Sequence, residues 1–450
     1  SRRVFLRLPT YSASEKLNWL IGFTRIGLFS ITYILTGSLD LFRGSLTRLY
    51  TPQDFGIYGV FVAVCATMAG VAGGRLELAI PVAKTADVAT TLLLLTGLVA
   101  LPASIVLSAF VAWLGPLFGL GPALGGEMAY WLPVAAFSIV VFQAVNYWLL
   151  WNKDYSRAAR ARWVQGGALA TVQLGAGYLA FGSWGLLVGH TLAQLLGGLI
   201  GGGATAAKRA MDVASQLSWR KCTALLRAHR NYPFVMAPAA LLNMLGQHMP
   251  ILLIGGLYGV KAAGFYAIAQ RVCGAPLALV GQAIGQIFAA EAPNLMQRSP
   301  ENMLLTFSRL IRYMFLGGGL FIIVLVVAAP IVVGFVFGKE WVDAGVLMQI
   351  LSFVFVLEFV VTPVSLTLSF MGHHSRQLWW DVIRLSGILA TFALATVLAL
   401  SLYQAMVVLA IVLSLSHIYL LRLMWNGLKK LSPEDVGSDA SALRADEIER

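Results

Sequence analysis

Long apolar runs alternate with short polar breaks along the whole chain, and the length of the runs decides what they are. Runs of spanning length fall at 18–47, 54–80, 88–113, 128–151, 158–181, 184–206, 233–257, 262–290, 306–337, 343–371, 376–400 and 402–426. A bilayer core about 30 Å thick takes about 20 apolar helical residues per crossing. The pattern therefore predicts an all-α integral membrane protein with 12 transmembrane helices. Turn-forming or charged breaks separate the runs, among them Thr51-Pro52-Gln53-Asp54, Gly115-Pro116, Gly182-Ser183 and Gly338-Lys339-Glu340. Strands are not an option for these runs, because an open strand in lipid leaves its backbone groups without partners.

Composition agrees and narrows the class. Of 450 residues, 58% are hydrophobic and 12% charged, with a mean hydropathy of +0.78. Soluble domains carry about 25% charged residues. A soluble enzyme, a disordered chain and a fibrous protein are excluded. The net charge is +12, which in a soluble chain would suggest nucleic acid, but here the position of each charge matters more than the sum. Placing the N-terminus inside puts 24 Lys and Arg on the cytoplasmic side, including Arg2, Arg3, Lys153, Arg157, Lys208, Arg220, Arg227 and Lys429. The opposite side keeps four: Arg43, Arg48, Lys261 and Lys339. That asymmetry predicts a multi-pass protein with both termini cytoplasmic, and no nucleic-acid partner is needed to explain the charge. The basic segment before the first run leads to no small-residue cleavage site, so that run is expected to remain as an anchor. The three cysteines, Cys65, Cys222 and Cys273, form no CxxC pair and read as packing residues.

The soluble parts are short. Residues 1–17 form an N-terminal segment, 207–232 a cytoplasmic linker, and 429–450 a tail that is acidic and polar from Ser432. Within the linker, residues 215–230 set Trp219, Cys222, Leu225 and Leu226 on one helical face and Arg220, Arg227 and Arg230 on the other. That is the pattern of an amphipathic helix on the membrane surface. The linker divides an N-lobe, 18–206, from a C-lobe, 233–428. The lobes share a repeat: Leu49-Tyr50-x5-Gly56-Ile57-Tyr58 matches Leu257-Tyr258-x5-Gly264-Phe265-Tyr266 at an offset of 208. Each copy lies between the first and second crossing of its lobe, which argues for two six-helix lobes related by duplication.

These segments also carry a family resemblance. Arg48 through Tyr58, then Gly74-Arg75-Leu76-Glu77-Leu78-Ala79-Ile80, resemble the amino-terminal signature of Wzx-type polysaccharide flippases. Asn231-Tyr232-Pro233 through Asn243, Met249-Pro250-Ile251-Leu252-Leu253 and Ala263 through Arg271 are similar to that family's seventh and eighth helices. The family belongs to the superfamily shared by multidrug exporters and the lipid II flippase. The resemblance implies two bundles forming a V around a central cationic cavity. It also implies transfer of an undecaprenyl-pyrophosphate-linked oligosaccharide from the cytoplasmic to the periplasmic leaflet of the bacterial inner membrane, for exopolysaccharide or O-antigen synthesis. The expected partners are that lipid-linked oligosaccharide and the bilayer, with polymerase and co-polymerase machinery as further candidates. A monomer without cofactor is expected. The lipid II flippase has fourteen helices, against the twelve counted here.

The residues supply their own argument. An ionisable group at membrane depth costs about 2.5–3.5 kcal/mol on insertion scales and is a functional hypothesis by default. Arg25 in the first crossing, Arg75 in the second and Arg271 in the eighth have no Asp or Glu at i,i+3 or i,i+4. Glu77 is two positions from Arg75, so on a continuous helix it points elsewhere. Arg offers permanently charged, bidentate donors suited to phosphate, and the resemblance places pyrophosphate contacts on these three crossings. Snorkelling to an interface is the competing reading, strongest for Arg75. Asp381 and Arg384, at i,i+3, read as a structural pair. Glu358 has no local partner and is the candidate for ion coupling. Polar residues recur at helical spacing: Gln143, Asn146 and Tyr147; Asn243 and Gln247; Gln270; and Gln282 and Gln286. They are candidate glycan contacts, with helix–helix hydrogen bonding as the alternative at each site. His190, His248 and His417 are isolated and His373-His374 lacks a third ligand, so no metal site is expected. No GxxxxGK[ST] loop is present to bind nucleotide.

Besides a lipid II flippase of the same superfamily, three rivals stand open. A small-molecule antiporter would centre on carboxylates such as Glu358. A membrane polymerase or glycosyltransferase would need acid–base residues in a sizeable outer loop, and the longest, 114–127, holds only Glu127. A scaffold would leave the buried arginines unexplained.

Overall fold

The computed structural model describes residues 45–215, 218–298 and 300–430. The expected first crossing, apart from its last residues, lies outside the described residues together with Arg25, Arg43 and the tail beyond residue 430. The described chain is helical, with no strand among the described residues. Its long helices are α1 (Pro52–Ala72), α2 (Ala86–Leu114), α3 (Glu127–Trp151), α4 (Tyr155–Tyr178) and α5 (Ser183–Ala214). The amphipathic α6 (Trp219–Ala228) and α7 (Tyr232–Tyr258) follow. Next is α8 (Val260–Ala269, continuing through a π-turn at Gln270–Gly274 into Ala275–Arg298). Last come α9 (Pro300–Val336), α10 (Val342–Val361), α11 (His374–Val397) and α12 (Leu402–Lys430).

Eleven of the twelve expected crossings thus have a helix in place. Ten helices among the described residues are long and apolar enough to span a bilayer. The exception is α4, whose 24 residues begin with Arg157, Arg160, Arg162 and Gln165. It is held instead by close packing on α5. Gly189, Gly197 and Gly201 of α5 lie against Gln173, Ala161 and Gln165 of α4 so tightly that a methyl group would collide. Large apolar side chains such as Leu98, Val106, Ile331, Phe335 and Val397 face outward from the bundle. In water such a surface would be a liability; against lipid it is the expected exterior.

Helix boundaries follow local chemistry. Thr51 and Asp54 form a reciprocal capping box at the start of α1, with Thr51 N donating to Asp54 Oδ2 at 2.9 Å and Pro52 at the first position. The second crossing, expected to run unbroken over 54–80, ends at Ala72. Gly73 and Gly74 stop it, Arg75 takes a left-handed conformation (φ 57°), and Leu76–Val82 continues as a 3-10 helix. The tenth breaks similarly at Pro363 into a 3-10 turn, Thr362–Val364, and a short helix, Thr367–Phe370. Helix α9 is a single rod of 37 residues, about 55 Å at 1.5 Å per residue. Its first turns carry Glu301, Arg309 and Arg312.

The helices pack as two bundles. α1–α5 pack on one another, as do α7–α12, and the main contact between the sets is α1 lying against α7 and α8. The linker is shorter than expected, because α5 continues to Ala214. Ser218 then caps α6, whose Arg220, Lys221 and Arg227 are exposed and whose Leu225 packs beneath α3.

Candidate functional site

A cavity of about 700 Å³ opens where α1 faces the second bundle. The first bundle contributes Phe55, Tyr58, Gly59, Val62 and Ala63 from α1; all the other lining residues come from α7, α8, α10, the turn after α10, α11 and α12. Its polar groups include Asn243, Gln247 and His248 of α7, Gln270, Arg271 and Gln282 of α8, Glu358 of α10, Gln377 and Arg384 of α11, and His417 of α12.

Two guanidiniums line this wall and differ in how they are held. Arg384 is buried, with Nη2 2.9 Å from Asp381 Oδ1 and donating to the Asn243 carbonyl at 3.0 Å. Its charge also lies over the Trp380 ring, 4.4 Å from the centroid. Asn243 Nδ2 donates to the same Asp381 oxygen at 3.1 Å and in turn accepts from Gln247. Gly246 makes room for this arrangement, since any side chain there would run into the guanidinium. Glu358 of α10 lines the same wall. The group is thus a compensated network, as the i,i+3 spacing of Asp381 and Arg384 predicts.

Arg271 is in none of the three ion pairs found among the described residues. It sits half-buried in the π-turn of α8, where the widened turn re-aims its side chains. Such turns in helices concentrate at functional sites. Gln270, beside it, donates to the Tyr266 hydroxyl at 2.8 Å. Across the cavity in the first bundle, Tyr58 lies 3.4 Å from Nδ1 of His190.

Several expectations need correction. Arg75 is not free of acidic partners: Nη1 lies 3.7 Å from Oε1 of the buried Glu77. The left-handed backbone at Arg75 changes the direction of the chain, so residues two apart meet, which a continuous helix forbids. Arg75 is also absent from the cavity wall. Gln143, Asn146 and Tyr147 are likewise not brought to it. Asn146 is buried and donates to the Phe142 carbonyl of its own helix at 3.1 Å, and Tyr147 packs on the core beneath α3. Asn243, Gln247, Gln270, Gln282 and Glu358 are brought together; Gln286 is not. Sequence reading missed Tyr58, Tyr266, His417 and Gln377 as wall residues. The two tyrosines were legible as the last residues of the repeat.

A family model described as "Polysaccharide biosynthesis protein" matches residues 45–346, and no curated protein matches. Among solved structures, an inward-facing multidrug resistance MATE family transporter of the MOP superfamily is similar with a TM-score of 0.64 at 17% identity, over 90% of this chain and 99% of that one. The lipid II flippase MurJ, in an inward closed conformation, scores 0.65 at 12% identity over 91% and 89%. A MOP superfamily transporter from Pyrococcus furiosus scores 0.55 at 15% identity over 91% and 96%. At these identities the likeness is one of fold. Two helical bundles, a cavity with clustered polar groups where they meet and a family match over most of the length lead to one assignment: the chain belongs to the polysaccharide biosynthesis protein family and has the all-helical membrane fold of the MOP superfamily transporters.

Proposed function

We propose that the protein is a flippase that carries an undecaprenyl-pyrophosphate-linked oligosaccharide from the cytoplasmic to the periplasmic leaflet of the inner membrane by alternating access. The observation that carries this reading is Arg271: a guanidinium without an acidic partner among the described residues, on a π-turn, facing a cavity between two bundles. Family membership supplies the polysaccharide context. In this reading Arg271 holds the pyrophosphate by bidentate hydrogen bonds, Arg25 contributes from the first crossing, and Arg75, already tied to Glu77, plays a lesser part. The polyprenyl tail stays in lipid. Asn243, Gln247 and Gln270 offer amides to sugar hydroxyls, and the bundles rock to expose the glycan on the other side. No covalent step is required.

The test is export in a deletion strain. Arg271→Ala is expected to abolish surface polysaccharide while the protein accumulates normally, and Arg271→Lys to restore only part of it, because a point charge does not reproduce the planar fork. Wild-type export from Arg271→Ala would sink the proposal. Glu358 in the wall favours a second reading, an ion-coupled small-molecule antiporter. That reading predicts that Glu358→Gln abolishes efflux of a cationic amphiphile and that Arg271→Ala leaves efflux intact.

A further inference from the structure

The internal repeat meets itself at the boundary between the bundles. Gly56 of α1 and Gly264 of α8 are equivalent residues of the two copies, offset by 208, as are Pro52 and Val260. A methyl group on Gly56 would overlap the Val260 carbonyl oxygen, and one on Gly264 would overlap the Pro52 carbonyl oxygen. The contact is therefore reciprocal: each glycine lies under the carbonyl of the residue equivalent to the one that covers its partner. Only a local two-fold axis between the bundles produces that arrangement. Backbones approach so closely only where both side chains are absent, and each glycine's Cα hydrogens are placed for weak bonds to the opposing oxygen.

The other parts of the repeat have matched roles. Tyr50 donates to the Gln173 carbonyl at 2.6 Å and Tyr258 to the Leu400 carbonyl at 3.0 Å. Each therefore ties the start of its copy to its own bundle. Tyr58 and Tyr266 both face the cavity. A second seam runs beside the first, where a methyl group on Gly119 would come within 2.5 Å of the Gly256 carbonyl oxygen. Trp341, buried at 2% exposure, donates to the Thr47 carbonyl at 3.2 Å and sets its ring edge-on to Phe55 of α1 at 5.4 Å. Every one of these contacts lies at the end of the helices that the charge asymmetry assigns to the outside.

We propose that the Gly56–Gly264 seam is the outer closure of the transport cycle. While it is formed the cavity is shut from the outside, and opening outward requires the two glycines to part. This deepens the alternating-access reading and rests on it, but the closure itself can be tested without knowing the substrate.

The experiment uses the full chain with Cys65, Cys222 and Cys273 replaced by Ala and one reporter, Ala278→Cys, in the cavity wall. Right-side-out spheroplasts are treated with a membrane-impermeant maleimide. With both glycines intact the reporter is expected to resist the reagent from outside and to react in inverted vesicles. Gly56→Ala or Gly264→Ala excludes the closed state sterically, so outside labelling is expected to rise about tenfold or more as the population shifts, and export to fall with it. Gly167→Ala, at a position with open space around it, is expected to leave labelling at the starting level. Outside labelling as fast as that in inverted vesicles while both glycines are intact overturns the proposal, even if a seam variant fails to accumulate. Unchanged labelling in Gly56→Ala also overturns it, as does raised labelling with full export. If labelling rises as expected while Arg271→Ala still exports glycan, the closure stands and the substrate reading falls.

Discussion

Arg271 and Arg384 share a cavity wall and differ in what neutralises them. Arg384 is bound by Asp381, the Asn243 carbonyl and the Trp380 ring, so removing its acid leaves an uncompensated charge inside the protein. Such losses cost about 3–5 kcal/mol. Asp381→Ala is therefore expected to lower the thermal midpoint in detergent sharply, and Arg271→Ala to leave it close to wild type while abolishing export. Equal midpoints for the two variants would contradict this division of labour. The Asp381–Arg384 pair was legible from spacing alone, because i,i+3 neighbours share a helix face. The Arg75–Glu77 pair was not. It depends on one residue adopting a positive φ after two glycines, and side-chain patterns on a regular helix carry no record of that.

At the scale of elements, apolar run length predicted the helices well and their interruptions poorly. The π-turn at Gln270–Gly274 and the break at Gly73–Arg75 both fall inside runs that read as continuous. Lipid asks only for apolarity over about 20 residues, so a run can be spanning in composition and still bend. Helix α6 was legible because its chemistry is local. Trp219 is 82% exposed and the basic residues share the polar face, as a surface helix requires. A peptide covering 215–231 with Arg220, Lys221 and Arg227 changed to Gln is expected to bind phosphatidylserine vesicles about a hundredfold more weakly in cosedimentation. That follows from about 1 kcal/mol for each basic residue near an anionic surface. The difference should shrink at high salt; equal binding of the two peptides at low salt would mean the helix binds by its apolar face alone.

For the whole molecule, the charge asymmetry and the glycine seam make one joint statement about sidedness. Lys261 and Lys339 stand near the seam end, and Lys208 and Arg220 near the linker end. Single cysteines replacing Lys261 or Lys339 in a cysteine-free chain are expected to react with an impermeant maleimide in spheroplasts. Cysteines replacing Lys208 or Arg220 should react only after lysis. The reverse pattern would invert the topology and turn the proposed outer closure into an inner one.

By itself, the sequence determined the membrane class, the helical content, the charge asymmetry, the duplication and the Asp381–Arg384 pair. Each is a property of composition or of residues a few positions apart. The tertiary structure alone decided which polar residues share a cavity. Asn243, Gln270, Glu358 and Arg384 lie on four helices whose facing sides are set by packing, and Gln143 and Asn146 have the same helical periodicity yet lie elsewhere. It also gave the repeat its physical meaning. Two glycines 208 residues apart are an alignment until the bundles bring their backbones together, and the close contact exists because neither residue has a side chain to keep the helices apart.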